Sequence, residues 1–188
     1  MSTAVEQLSS TQVGAFYDRL GAYFATVYGG ESNIHFGYWD DAADSAGPRE
    51  AQDRLTRMAL AALDLSEGGW LLDVGCGTGG PARLAATESG CSVAGVTVSR
   101  TQVERAHREA ARAGLAGRVR VQYADAMQLP FPDGSFDAVW ALESVSASPP
   151  TTARLSCGTA RADRTPSTTG APTPSWSSTS SPSRAPTT

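Results

Sequence analysis

The stretch Leu71-Leu72-Asp73-Val74-Gly75-Cys76-Gly77-Thr78-Gly79-Gly80 constrains this chain more than any other. Trp70 to Val74 reads as a strand, and Gly79 to Glu88 as a short helix. The glycines between them permit a tight turn and a close backbone approach to a ligand at the helix N-terminus, as a βα nucleotide site requires.

The flanking sequence repeats that unit. Cys91 to Val98 reads as a strand, followed by a helix from Ser99 to Ala113. Ser99 and Gln102 have capping-box spacing, and Gly114 ends the helix. Arg118 to Tyr123 and Ser135 to Leu142 read as two further strands. Upstream, residues 9–28 predict a helix with a Ser9/Gln12 capping box and Val13, Phe16, Tyr17, Leu20 and Phe24 at helical intervals. Gly29-Gly30 stops it. A second helix over about 48–64 starts at Pro48, with Ala51, Leu55, Met58, Ala59, Ala62 and Leu63 on one face. Alternating βαβα with near-continuous apolar strands predicts an α/β fold. Its core is an incomplete doubly wound, Rossmann-like parallel sheet of about four strands.

From about Ser144 the chain changes character. Of the 45 residues from 144 to 188, 28 are Ser, Thr or Pro, and no apolar periodicity is present. Such a segment cannot bury enough surface to offset its ordering entropy, which predicts disorder. The expected domains are therefore a helical lid at 1–66, a ligand-binding α/β half-domain at 67–143 and a tail at 144–188. The chain has no Lys, one Ile (Ile34) and one Asn (Asn33), as a GC-rich gene gives. Out-of-frame reading of such a gene yields mostly Ala, Arg, Pro, Gly, Ser and Thr. The tail is accordingly expected to be a truncated, out-of-frame end, with the sheet left incomplete.

The glycine turn also fits GxGxxG through Gly75, Gly77 and Gly80, so a nicotinamide dinucleotide site has to be weighed. Three features oppose it. Asp73 stands inside the strand end, just before the loop. A carboxylate there would repel a pyrophosphate. Thr97 and Ser99 stand where the ribose-binding acid should be. A second signal is Tyr123-Ala124-Asp125-Ala126 after the third strand. There Asp125 could accept from an adenine amino group and the Ala126 amide could donate to a ring nitrogen; a turn cap is the plainer role.

Taken together these motifs resemble the class I S-adenosylmethionine-dependent methyltransferases, in the small-molecule branch that includes sterol and tocopherol methyltransferases and natural-product tailoring enzymes of the demethylrebeccamycin glucose O-methyltransferase kind. The resemblance runs from about Tyr17 to Val145. It includes His35-Phe36-Gly37-Tyr38-Trp39, Gly95-Val96-Thr97-Val98-Ser99-Arg100, Leu129-Pro130-Phe131 and Phe136 to Ser144. It implies S-adenosylmethionine as cofactor. Asp73, Gly75, Cys76 and Gly77 would hold its methionine moiety, Thr97, Ser99 and Gln102 would face the ribose, and Asp125 and Ala126 would bind adenine. Trp140 and Ala141 would lie under the sulfonium. The acceptor would be a small-molecule hydroxyl of a natural product or sugar. Val145-Ser146-Ala147-Ser148-Pro149-Pro150 stands where the branch usually has a His-Met-Pro-Asp-like stretch, so the usual histidine has no counterpart. The alternative expectation is a non-catalytic, cofactor-binding remnant.

Methyl transfer from a sulfonium relies on positioning, with reacting atoms about 3–3.5 Å apart, and a hydroxyl acceptor gains from a general base. His35, in the aromatic segment, is the candidate base; His107 reads as a solvated helix-face residue. Tyr17, Tyr23, Tyr38 and Trp39 are candidates to shield the sulfonium. Glu143 reads as a solvated strand end.

The formal charge of −4 and the lack of a basic patch argue against nucleic-acid binding. No apolar run is long enough to span a bilayer, and Met1 to Ser10 lacks signal-peptide order, so a cytoplasmic protein is expected. Cys76, Cys91 and Cys157 lack metal-site spacing and read as reduced thiols, with no metal expected. The last strand lacks a neighbour, which predicts an exposed edge and self-association through it.

Overall fold

The computed structural model describes residues 8–27 and 35–144. Its elements are α1 (Ser10–Val27), α2 (Pro48–Ala61), β1 (Trp70–Val74), α3 (Gly80–Ser89), β2 (Ser92–Thr97), α4 (Arg100–Arg112), β3 (Val119–Tyr123) and β4 (Ala138–Trp140). The final strand is shorter than the run at 135–142 suggested. The tail lies outside the described residues from Val145 on.

All strand pairs are parallel, in the order β3-β2-β1-β4. The chain steps outward from β1 to β2 and β3, then returns to lay β4 on the other side of β1. That reversal puts the topological switch point between β1 and β4, where open α/β sheets form a crevice beyond their carboxyl ends.

Both sheet faces are apolar, as the near-continuous hydrophobic strands require. On one face Leu71, Val93, Val119 and Trp140 pack against Ala82, Ala85 and Ala86 of α3 and Ala110 of α4. Alanines along the helices let them lie close to the sheet. On the other face Leu72, Val74, Ala94 and Val96 meet Phe136, Leu129 and Phe131 from the irregular connection between β3 and β4.

Local signals set the helix ends. Ser9 Oγ accepts from the Gln12 amide at 3.3 Å while Gln12 Oε1 accepts from the Ser9 amide at 2.8 Å, a reciprocal capping box. At α4 only half of that box forms. The Gln102 amide donates to Ser99 Oγ at 3.1 Å, but the Gln102 side chain turns to Thr97 instead. The buried face of α2 also differs from the apolar stripe read from sequence. Ala51, Gln52 and Thr56 are its buried residues, and Met58 is exposed. The polar pair is buried because it holds His35.

Candidate functional site

Asp73 is the last residue but one of β1, on the sheet face shared with Leu71. Its register partners are Trp140 in β4 and Gly95 in β2. The side chain is 2% exposed. Burial pushes its carboxyl up to about 7, against a pull in the other direction from the Trp140 indole. That contact falls short of a hydrogen bond: Asp73 Oδ2 and Trp140 Nε1 are both buried without a partner. An unpaired buried carboxylate is costly. The end of β1 is thus built around an acceptor with no donor within the described residues.

The four residues after Asp73 divide into two kinds. Gly75 (φ +74°) needs to be glycine because of the chain itself: a Cβ there would lie 2.1 Å from Ser144 Cβ. Ser144, just past β4, crosses directly over the turn, and its hydroxyl donates to the Val74 carbonyl at 2.5 Å. The sequence reading gave that close approach to a ligand; the structure gives it to Ser144. Gly77 (φ +56°) differs, since among the described residues nothing lies within 4 Å of where its Cβ would be. The turn is therefore open at Gly77. Cys76 packs into the core with Ala106 and Val121, its sulfur filling the space that Gly95 leaves. Burial and the Asp73 charge push its thiol up, so the side chain is an inert packing group whose sulfur donates to the Gly77 carbonyl at 3.7 Å.

Beyond β2, Thr97, Ser99 and Gln102 come together as one buried network. Thr97 Oγ1 donates to Gln102 Oε1 at 2.6 Å and accepts from the Ser99 amide at 3.3 Å. Ser99 Oγ donates to Asp18 Oδ1, a residue of α1 that sequence reasoning passed over. The same oxygen accepts from Thr101 Oγ1 at 2.7 Å and from the Thr101 amide at 3.3 Å. Slight burial pushes the Asp18 carboxyl up, but the hydrogen bonds from Ser99 and Thr101, with the Arg100 charge, outweigh it and hold it below the usual range. The hydroxyls of Thr97 and Ser99 are thus engaged within the chain, leaving the Gln102 amide nitrogen as the group of this network directed elsewhere.

Asp125 follows β3. Its Oδ1 accepts from the Met127 amide at 2.9 Å, so one oxygen caps a turn and the other is left over. Ala126 adjoins it, half-buried, and Arg100 stacks on the neighbouring Tyr123 ring at 4.7 Å. Trp140 ends β4 beside Asp73, and Ala141, just past the strand, packs with the Leu72 cluster.

His35 is buried against α2, with Nδ1 on the Phe36 carbonyl at 2.7 Å and Nε2 near Thr56 Oγ1 at 3.4 Å. Its own carbonyl accepts from Gln52 Nε2 at 2.8 Å. With the ring buried and both nitrogens engaged, His35 ties the segment around Phe36 to α2. His107 does more than face solvent, since its Nε2 meets the Val121 carbonyl of β3 at 2.7 Å. Glu143 also departs from a solvated strand end. It takes a left-handed backbone (φ 53°), and its carboxylate accepts from the Phe36 amide at 2.9 Å. Tyr23, Tyr38 and Trp39 remain exposed. No group of metal-ligating side chains occurs among the described residues.

This geometry, a switch-point crevice with an acidic strand end, a glycine turn and a hydroxyl-bearing second strand, agrees with the similarities to known proteins. Residues 71–162 match the family model described as a methyltransferase domain. The chain belongs to the class I S-adenosylmethionine-dependent methyltransferase family. It is 46% identical over 138 residues to 27-O-demethylrifamycin SV methyltransferase of Amycolatopsis mediterranei (strain S699), covering 73% of this chain and 49% of that one. Among solved structures, the 4+2 cyclase SpnF superposes with a TM-score of 0.69 at 42% identity, over 74% of this chain and 51% of that one. Geranyl diphosphate methyltransferase, solved with S-adenosylmethionine, gives a TM-score of 0.54 at 28% identity, over 60% and 51%. The methyltransferase chain spans about half the length of the curated relatives it matches.

Proposed function

We propose that this methyltransferase chain binds S-adenosylmethionine at the switch point between β1 and β4, and forms the cofactor half of an enzyme that methylates a hydroxyl on a small natural product. The observation that carries the reading is the buried Asp73 Oδ2, without a partner among the described residues, beside the open turn at Gly77. A cationic, donor-rich ligand supplies what that carboxylate lacks. A dinucleotide, with its pyrophosphate, supplies the opposite charge.

The residues fit the cofactor in the following way. Asp73 and the backbone at Gly77 would hold the methionine moiety. Gln102, oriented by Thr97, would offer its amide nitrogen to the ribose hydroxyls, while Ser99 orders the turn beneath it. The free oxygen of Asp125 and the Ala126 amide would take the adenine edge, and Trp140 would line the sulfonium end. When bound, the cofactor supplies an electrophilic methyl group on a good, neutral leaving group. The chain's own part is to orient it and exclude water.

A hydroxyl acceptor rests on relatives named as O-methyltransferases, including the one named for 27-O-demethylrifamycin SV and an O-methyltransferase of Aspergillus sclerotiorum. A second reading has a specific basis: SpnF, at 42% identity, is named for a cyclisation. Binding without methyl transfer is that reading's signature, shared with a cofactor-binding remnant. The lid at 1–66 and the half-domain at 67–143 belong to this proposal, with α1 on α4 and α2 tied to α3 by Arg57 and Glu88 at 2.8 Å.

Calorimetry with S-adenosylmethionine and with NAD, beside a methyl-transfer assay on 27-O-demethylrifamycin SV, tests the proposal. Binding of S-adenosylmethionine alone is expected. Preference for NAD, or no binding by a folded chain, overturns it; binding without turnover moves the balance to the second reading. Two lesser parts concern association and location. β4 has β1 as its one strand neighbour among the described residues, which favours self-association there; a sedimentation profile of monomer alone removes that idea. No helix among the described residues is long and apolar enough to cross a membrane, which supports a cytoplasmic site; recovery in a membrane fraction contradicts it.

A further inference from the structure

α1 is fastened to the β2–α4 turn at two points one helical turn apart. Gly14 lies so close to the turn that a Cβ on it would be 2.0 Å from the Val98 carbonyl oxygen. Four residues on, and so on the same helix face, Asp18 accepts from Ser99 and twice from Thr101. The acceptor and its donors are far apart in sequence but rest on one network. Asp18 accepts a hydrogen bond from the Ser99 hydroxyl, Ser99 Oγ accepts from the Gln102 amide, the Ser99 amide donates to Thr97 Oγ1, and the Thr97 hydroxyl donates to the Gln102 side chain.

We propose that Asp18 is a positioning residue that couples the docking of α1 to cofactor binding, by terminating the hydrogen-bond network that orients Gln102. This inference rests on the function proposed above. With α1 docked, Ser99 has a fixed acceptor and its hydroxyl is committed to one orientation. With α1 released, that hydroxyl is free to turn and to compete for the Thr97 and Gln102 groups. The cofactor and α1 then stabilise each other, since whichever binds first orders the network for the other.

The test uses two variants that undock α1 by different routes. Asp18→Asn weakens the acceptor that ends the network. Gly14→Ala leaves every polar group in place but puts a methyl group against the Val98 carbonyl. Binding of S-adenosylhomocysteine is measured by calorimetry and stopped-flow tryptophan fluorescence, and amide hydrogen exchange of residues 10–27 is followed with and without ligand. Both variants are expected to speed α1 exchange in the ligand-free chain. Both should weaken binding about tenfold, the size of one lost charge-assisted hydrogen bond, mostly through faster release. In the parent chain the ligand should slow α1 exchange. Exchange of β1 to β3 should be unchanged in both variants, which separates undocking from unfolding. If the parent chain binds and both variants bind equally well, the coupling is overturned while the proposed function stands. If α1 exchange in the parent chain ignores the ligand, the coupling is overturned as well. If the folded parent chain does not bind at all, the proposed function falls and takes the coupling with it.

Discussion

Asp73 and Trp140 are register partners on adjacent parallel strands, and Oδ2 of one and the indole nitrogen of the other are both buried without a hydrogen bond among the described residues. A donor and an acceptor so close would gain by closing the gap. The strand pairing holds them apart, and a ligand with donors of its own would satisfy the carboxylate instead.

Asp73→Asn is expected to stabilise the ligand-free chain at alkaline pH and to abolish S-adenosylmethionine binding. The ionised form is disfavoured in the fold. Between the ordinary value of 3.8 and the folded value of about 7, the folded chain keeps a proton that the unfolded chain has lost. Stability therefore falls as pH rises through that window and levels off above it. Each tenfold displacement of the proton equilibrium is about 1.4 kcal/mol, so the variant should melt several degrees higher above the window and level with the parent below it. Coincident melting curves at every pH would show that Asp73 does not titrate this way.

Cofactor binding should release a proton. A cationic ligand favours the ionised carboxylate and lowers a pKa that burial has raised to about 7. Affinity is expected to rise with pH up to that value and then flatten. Calorimetry at about pH 6.5 in buffers of different ionisation enthalpy measures the proton directly. Identical enthalpies in all buffers would contradict it.

Gly75→Ala and Gly77→Ala should fail differently. Gly75→Ala meets Ser144 in addition to its left-handed backbone (φ +74°), and should cost more than the roughly 1–3 kcal/mol of the backbone strain alone. Gly77→Ala meets nothing within 4 Å among the described residues and should lose only the strain of its own left-handed backbone (φ +56°), roughly 1–2 kcal/mol in urea denaturation. Its methyl group would nevertheless stand in the open part of the turn, so ligand affinity should fall about tenfold or more. Equal urea midpoints for the two variants would remove the distinction.

His35→Phe should act on stability. The substitution keeps a ring against α2 but removes the contacts to Phe36 and Thr56, for an expected loss of about 1–3 kcal/mol. Cofactor affinity should stay within about twofold of the parent. An unchanged urea midpoint would show that the ring nitrogens hold nothing in place.

Most of the architecture was legible along the chain because its causes are local. Apolar runs of strand length, the capping pairs at Ser9 and Ser99, and glycines at Gly79, Gly90 and Gly114 with positive φ act within a few residues of each other. The acidic strand end, the glycine turn and Asp125 could be placed on one sheet edge from alternation alone, because parallel βα units bring successive strand ends to the same side.

What the chain order could not express is which distant groups meet. Asp18 reaches Ser99 across 81 residues and Glu143 reaches Phe36 across 107, and neither pair leaves a periodic trace. His35 meets Gln52 and Thr56 of α2, and Gly75 meets Ser144 from beyond β4. Sequence alone set the elements, their parallel order and the chemistry at the strand ends, since backbone preference and burial are decided locally. Only the tertiary structure decided which polar groups satisfy one another and which are left for a ligand, because hydrogen-bond partners are fixed by packing in space.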